Sequence, residues 1–409
     1  MRVFALALCT SMLAACSGAG PQTIGNIPAP TAPNAPTTPA SQHTFVNPTV
    51  QKVYNGIGSS HKYQYSVDQS VIDGSTSGQN DQLYAGNAST VRNTGITVDY
   101  NPRDAIFDIS IKDTLSRVST TDRFQDPIHR TNFGGAREPQ TGIPELKLPG
   151  VQYLETGAIA DMYLVDVFDP ATGVSNTLAG ALIPGKQIGT FESTTYFYQK
   201  PGTTTKYVTF AGYHKNILSI SRDTKTNIDT HKYNLERGAF VFGENTKIEN
   251  VPKSGSATFN GSMLATVVFD DRPDVIGANT STYFQWIEGT SETKVDFLAN
   301  KFSLTLAGST YAPQLDISTA DPATILSGAI FNANASGRID LIAAGGFLGQ
   351  FQQAWFVNPD GTRLNFNIAG SSVDGAFFGP AAQEVGGGYR IVGGTPDQRI
   401  DLLGVFVGK

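Results

Sequence analysis

Gly375-Ala376-Phe377-Phe378-Gly379-Pro380, with Glu384 and Gly386-Gly387-Gly388 just downstream, is the stretch that decides the fold. Val373, Phe377 and Tyr389 read as strand, Gly379-Pro380 as a break, and the glycines as points where a sheet bends sharply or admits another backbone. Strand, tight corner and flexible strand start in immediate succession fit the closing hairpins of a small antiparallel barrel.

Working upstream, short alternating runs separated by turn residues continue through the chain. Within the last third, Ser281 to Ile287, Lys294 to Leu298, Phe302 to Leu306, Ile325 to Phe331, Arg338 to Ile342, Arg363 to Ile368, Ser372 to Phe378, Tyr389 to Val392 and Arg399 to Val407 are strand candidates. Asn358-Pro359-Asp360-Gly361 is a turn by chemistry. The count suits an eight-stranded barrel filled by its own side chains, with Phe377 and Phe406 in the interior. Earlier in the chain, Ile96 to Tyr100, Asn101 to Asp104 and Ala105 to Ile111 read as a hairpin. Thr195 to Tyr198, Lys206 to Ala211 and Ile217 to Ile220 repeat its period of two. No stretch carries a long, capped 3.6-residue period. With 43 glycines in 409 residues and 16% charged residues, the expectation is an all-β protein, a strand-rich handle over 47–252 followed by the barrel over 253–409.

The barrel stretch resembles the surface lipoproteins related to transferrin-binding protein B, whose barrels carry Gly-x-Phe-(Phe/Tyr)-Gly-Pro, then Ala-x-Glu-x-Gly-Gly, then a terminal Gly-x-Phe-Gly. Here the last element is Gly404-Val405-Phe406-Val407-Gly408, with one residue between Phe406 and its glycine. Gly255-Ser256-Ala257-Thr258-Phe259-Asn260-Gly261 looks like the same family's first barrel strand. A weaker likeness to single-lobe members extends to Phe240-Val241-Phe242-Gly243 and to Arg130-Thr131-Asn132-Phe133-Gly134-Gly135. The resemblance implies a lipoprotein of the outer membrane, displayed at the cell surface. It would capture a ligand for uptake, an iron source such as an iron-carrier or haem protein, or another solute, with an outer-membrane transporter as a candidate partner.

The N-terminal end gives an independent signal. Arg2, an apolar run from Val3 to Leu8, and Leu13-Ala14-Ala15-Cys16 form a lipoprotein leader over 1–15, with Cys16 as the acylated residue. Residues 16–46 then hold Pro21, Pro28, Pro30, Pro33, Pro36 and Pro39 among small polar residues, the composition of an extended tether. Of the two cysteines, Cys9 leaves with the leader and Cys16 takes lipid. None then remains for a disulfide, a thiolate nucleophile or a thiolate metal site.

Motifs of catalysis are weak. Gly180 to Lys186 matches the start of a phosphate-binding loop, but Gln187 replaces the hydroxyl residue and Pro184 removes a backbone donor, so a hairpin turn is expected. Gly74-Ser75-Thr76-Ser77-Gly78 puts Thr at the nucleophile position of a hydrolase elbow. His43, His61, His129, His214 and His231 show no metal-ligand spacing, and Asp270, Asp271 and Asp274 lack that of a calcium loop. The expectation is therefore a binding protein without metal or organic cofactor. An adhesive or structural surface protein is the alternative, and a secreted β-scaffold hydrolase stands behind both. With 29 Lys and Arg against 35 Asp and Glu, the net charge of −6 argues against nucleic acid. Thr120 to Gly150 reads as a long irregular loop. Its Arg123, Phe124, Arg130, Phe133 and Arg137 are the candidate ligand contacts, because Arg and aromatic residues dominate interface energetics.

Overall fold

The computed structural model describes residues 42–83, 95–104, 106–112, 119–125, 143–155, 159–162, 164–169, 174–179, 186–270, 281–319, 323–342, 345–395 and 398–409. Apart from a 3-10 turn at Ile248–Asn250, the regular structure of these described residues is strand. The handle comprises β1 (Lys52–Asn55), β2 (Ile57–Ser70), β3 (Thr76–Leu83), β4 (Thr97–Asn101), β5 (Ile106–Lys112), β6 (Ser119–Gln125), β7 (Val151–Glu155), β8 (Ile159–Met162), β9 (Leu164–Asp169), β10 (Val174–Ala179), β11 (Lys186–Gln199), β12 (Val208–Asp223) and β13 (Ile228–Gly243). The barrel comprises β14 (Ser256–Asp270), β15 (Thr282–Asp296), β16 (Lys301–Thr310), β17 (Ile330–Asp340), β18 (Gly346–Val357), β19 (Arg363–Asn365), β20 (Asn367–Phe378), β21 (Glu384–Thr395) and β22 (Gln398–Gly408).

Closure of the barrel is explicit in its pairings. The order runs β17-β16-β15-β14-β22-β21-β20-β18, and β17 pairs β18 to complete an eight-stranded antiparallel ring, with β19 a short addition beside β18. Inward residues alternate along the strands, except where a bulge in β18 shifts their parity, and fill the lumen as a barrel of this size requires. Met263, Phe302, Phe347, Phe377, Tyr389, Ile391 and Phe406 all belong to this one core. Phe347 stands at its centre, 5.5 Å from the Phe377 ring and 6.2 Å from Phe406. Gly375 has to be glycine here, because a Cβ would lie 2.3 Å from the Phe347 ring. Gly379 turns the chain after β20 with φ +87, a conformation that other residues rarely adopt.

The handle is two layers deep. A four-stranded sheet, β1-β4-β5-β6, packs on one face of a larger sheet ordered β3-β2-β13-β12-β11-β7, to which β8 adds at β11. Period-two alternation puts Tyr196, Tyr198, Ala211, Tyr213, Phe240 and Phe242 on that face, where they meet Tyr100, Phe107 and Phe124. The opposite face, with Tyr63, Tyr65, Phe197, Phe210, Tyr233 and Val241, packs on the outside of the barrel against Leu264, Trp286, Phe378, Leu403, Val405 and Val407. The large sheet is therefore the middle of three layers.

Three expectations are corrected. Residues from Thr120 to Gln125 are strand rather than loop, and Phe124 is a core residue 5.3 Å from the Tyr196 ring, so it cannot be a ligand contact. Phe45, placed in the tether by composition, packs edge-on against Tyr54 and Phe242, so the packed chain starts before residue 47. The strand expected over Ile325 to Phe331 starts later: Ile325 is buried in a bend, and β17 begins at Ile330 and runs on to Asp340. The expected hairpin at Ile96 to Ile111 and the turn at Asn358 to Gly361 form as read. Residues 180–185, and Asp271 and Asp274, lie outside the described residues.

Truncating Phe406→Ala should cost about 3–5 kcal/mol in equilibrium unfolding, because a fully buried ring is lost from a filled interior. An isolated fragment of residues 251–409 exposes Leu264, Trp286, Val405 and Val407 together, so it should self-associate in size-exclusion chromatography. A monomeric fragment would contradict the handle's covering role.

Candidate functional site: the cleft between handle and barrel

Register places the polar members of the junction in rows across the large sheet. His61, Arg237, His214 and Thr195 are successive cross-strand partners, and one rung along come Tyr63, Leu235, Asn216 and Ser193. Beyond these, Tyr65 pairs with Tyr233, their rings stacked at 4.9 Å. The apolar core of the junction covers the start of β12, whose residues Val208–His214 are buried, whereas Lys215–Asp223 run on half-buried.

Three polar clamps hold the barrel to this sheet. Arg237, fully buried, donates from one guanidinium nitrogen to the carbonyl and hydroxyl of Thr266 and from the other to the carbonyl and carboxylate of Asp401. Arg390 donates to the second Asp401 oxygen at 2.7 Å, and His61 lies 3.8 Å away. Burial pushes the Asp401 carboxyl up, but His61, Arg237 and Arg390 together hold it below its ordinary value. Glu384 accepts hydrogen bonds from the backbone N–H groups of Lys206, Tyr207 and Val208, at 2.7, 2.7 and 3.2 Å. Glu288 accepts from Lys147 and Leu148 N–H and from the Tyr311 hydroxyl. Both glutamates are barrel residues satisfying loop donors of the handle.

Beside the clamps, a cavity of about 420 Å³ opens at the junction. One wall is the sheet face, with Tyr63, Tyr65, Tyr233, His214 and Asn216; the other is Phe284 of β15 and the segment Gln314 to Asp316. His214 stacks on Phe284 at 5.0 Å, and its side chain is 4% exposed. Its Nε2 has no hydrogen-bond partner, and neither does Asn216 Oδ1. Burial holds the His214 imidazole down to about 4, so it is neutral at physiological pH. Burial likewise raises the Tyr63, Tyr65 and Tyr233 phenols, the last to about 12, so all three are protonated. Asp316 is pushed up by burial but held lower overall by Ser318, Thr319 and Gln79, and it is ionised.

Of the residues singled out from sequence, Arg123 lies exposed on β6, and Phe124 beside it is buried. Arg130, Phe133 and Arg137 lie outside the described residues, as does Cys16. In sequence, His214 is one of five histidines without metal-ligand spacing. The available signal was its place in Phe210-Gly212-His214-Asn216, alternate positions facing one side of one strand. Among the described residues no three of His, Cys, Asp and Glu come together as a metal site.

Asp401→Ala should destabilise the protein by about 3–5 kcal/mol, since it leaves the buried Arg237 uncompensated. Lys52→Ala, which breaks a partly exposed pair with Glu244, should cost under about 1 kcal/mol. His214 gives a pH signature. The unfolded imidazole takes a proton below about 6.5 and the folded one only near 4, so the unfolded state binds more protons in that window. Stability should therefore fall as pH drops from about 6.5 to 4, by as much as about 3 kcal/mol from this group. Denaturant titrations of His214→Gln should show a correspondingly shallower acid loss.

A family profile described as "C-lobe and N-lobe beta barrels of Tf-binding protein B" matches residues 251–409. Similar solved structures include a point mutant of the vaccine antigen Transferrin Binding Protein B from Haemophilus parasuis Hp5, at 12% identity over 86% of this chain and 76% of that one, with a TM-score of 0.27. Intact Ap-TbpB, with N and C lobes, matches at 12% identity over 90% and 79%, with a TM-score of 0.28. A structure titled "Surface Lipoprotein" matches at 16% identity over 52% and 79%, with a TM-score of 0.22. No curated protein matches the sequence. The family likeness of this chain thus lies in its closed barrel, residues 251–409.

Proposed function

We propose that the protein is a lipid-anchored binding protein of the outer membrane, displayed at the cell surface. It captures a ligand stoichiometrically at the junction of handle and barrel. The observation that carries this reading is the cleft itself: aromatic walls surround a neutral, buried His214 whose Nε2 has no partner, and Asn216 Oδ1 is in the same condition. A buried polar atom left unsatisfied costs free energy that a bound ligand or ordered water recovers. Rigid walls contributed by two packed bodies are the usual setting of a small-molecule site.

The leader and Cys16 support lipid anchoring, and the Pro-rich segment after it would hold the globular part away from the membrane. The match of residues 251–409 to a profile named for Tf-binding protein B supports capture as the activity and an iron source as one class of cargo; an outer-membrane transporter is the proposed receiving partner. For a protein cargo, Arg123, Arg130, Phe133 and Arg137 of the handle are the proposed contacts.

Two measurements test the reading. Cys16→Ala should abolish partitioning into the detergent phase or leave the precursor uncleaved; normal maturation and wild-type partitioning would contradict the anchor. The detergent-solubilised full-length protein, incubated with iron carriers, haem proteins and a small-solute library, should retain a ligand at 1:1 stoichiometry, and His214→Leu should release a ligand held in the cleft. Turnover of a substrate in place of retention would overturn binding as the activity.

A further inference from the structure

The polar and charged groups of the junction cleft are not balanced. Its lining holds one carboxylate, Asp316, and no Lys or Arg. Arg237, one rung further along the sheet, has its charge engaged by Asp401. Lys62 and Lys215 serve the opposite face, where they pair with Glu236 and with Glu192 and Asp122. Tyr63, Tyr65, Tyr233 and Phe284 line the same space, and the electron-rich faces of aromatic rings attract cations, adding to the pull of the carboxylate wherever a face is open. Both unpartnered buried atoms suit the same ligand. Asn216 Oδ1 can only accept a hydrogen, and His214 Nε2 accepts one when its ring proton is on Nδ1.

We propose that this cleft takes a small organic ammonium ion, its charge facing Asp316 and the aromatic rings and its N–H hydrogens donated to Asn216 Oδ1 and His214 Nε2. The inference rests on the capture reading and narrows it to one ligand class. Three features fit it together. An anionic ligand would meet Asp316 with no cation in the lining to compensate. A purely apolar one would leave Asn216 and His214 unsatisfied, at the cost such buried groups carry. The neutral state of His214 at physiological pH keeps a second positive charge out of the site. The volume of about 420 Å³ limits the ligand, or the part of it that enters, to roughly a single ring or a short chain.

The test uses three probes with one skeleton, benzylamine, benzyl alcohol and benzoate, titrated calorimetrically at pH 7.5 into the detergent-solubilised full-length protein. Benzylammonium should bind 1:1, at least about tenfold more tightly than benzyl alcohol, with no benzoate binding. Asp316→Asn retains the acceptor used by Ser318 and Thr319 but sets an amide NH2 against the Gln79 Nε2 donor, so its melting temperature should fall; at a temperature where it stays folded it should reduce benzylamine to the level of the alcohol. Should that variant fail to fold, Asn216→Leu gives the second readout, again a loss of at least about tenfold for the amine.

Alcohol or benzoate binding that equals the amine's, and is lost in Asn216→Leu, would overturn the ammonium inference and leave capture in this cleft standing. Benzylamine binding that neither variant changes places the cation elsewhere and also overturns it. If no probe binds, the ammonium inference falls. If in addition His214→Leu changes the retention of nothing in the wider library, capture at this cleft falls with it.

Discussion

Burial of the large handle sheet on both faces is the constraint from which the other features follow. One face is covered by the four-stranded sheet through Phe107, Phe124, Tyr196 and Phe240; the other is covered by the barrel through Trp286, Phe378, Leu403 and Val405. A sheet in the middle of three layers cannot slide, because a one-residue slip would exchange its two apolar faces. The barrel accordingly carries apolar residues on its outside as well as within. On strands β14, β20, β21 and β22 both faces are used, which is why their burial runs are nearly continuous instead of alternating.

The polar clamps add direction to this apolar contact. Arg237 with Thr266 and Asp401, Glu384 with three N–H groups of residues 206–208, and Glu288 with two N–H groups of residues 147 and 148 each fix one barrel position against one handle position. Removing a single partner from such a set is costly, because the remaining group stays buried without water. The cleft is a consequence of the same geometry. The sheet strands continue past the apolar contact, and between sheet and barrel they leave the tyrosine-lined space that His214 and Asn216 enter. The proposed capture there would use walls already packed in the absence of a ligand, which lowers the ordering cost of binding.

Much of the barrel is legible in the sequence because glycine and aromatic residues have fixed jobs in it. Gly375 makes room for the Phe347 ring, Gly379 turns the chain, and Phe377 and Phe406 point inward as their alternation requires. Strand β18 was not legible. A bulge opposite Asn334 and Ala335 shifts its register, so its inward residues run Phe347, Phe351, then Ala354, Phe356, changing parity midway. In the handle, Gly212 to Asn216 interrupts the apolar alternation and reads as a break between two short strands; it lies in the interior of the 16-residue β12. Of these residues, His214 and Asn216 line the cleft. The site itself was not legible, since Tyr63, His214, Asn216 and Asp316 come from three segments that meet only through long-range pairing.

Equilibrium unfolding seen from two vantage points tests the unity of handle and barrel most directly. Trp286 sits at the junction, 5.1 Å from Phe197 of the handle, whereas Trp355 lies by the β18–β19 hairpin over Arg363. In a Trp355→Phe variant, fluorescence reports the junction alone and far-UV circular dichroism reports all strands. The two guanidinium transitions should coincide, with one midpoint and one slope. A Trp286 transition that precedes loss of the strands, with the barrel and handle melting afterwards as separate bodies, would contradict the account.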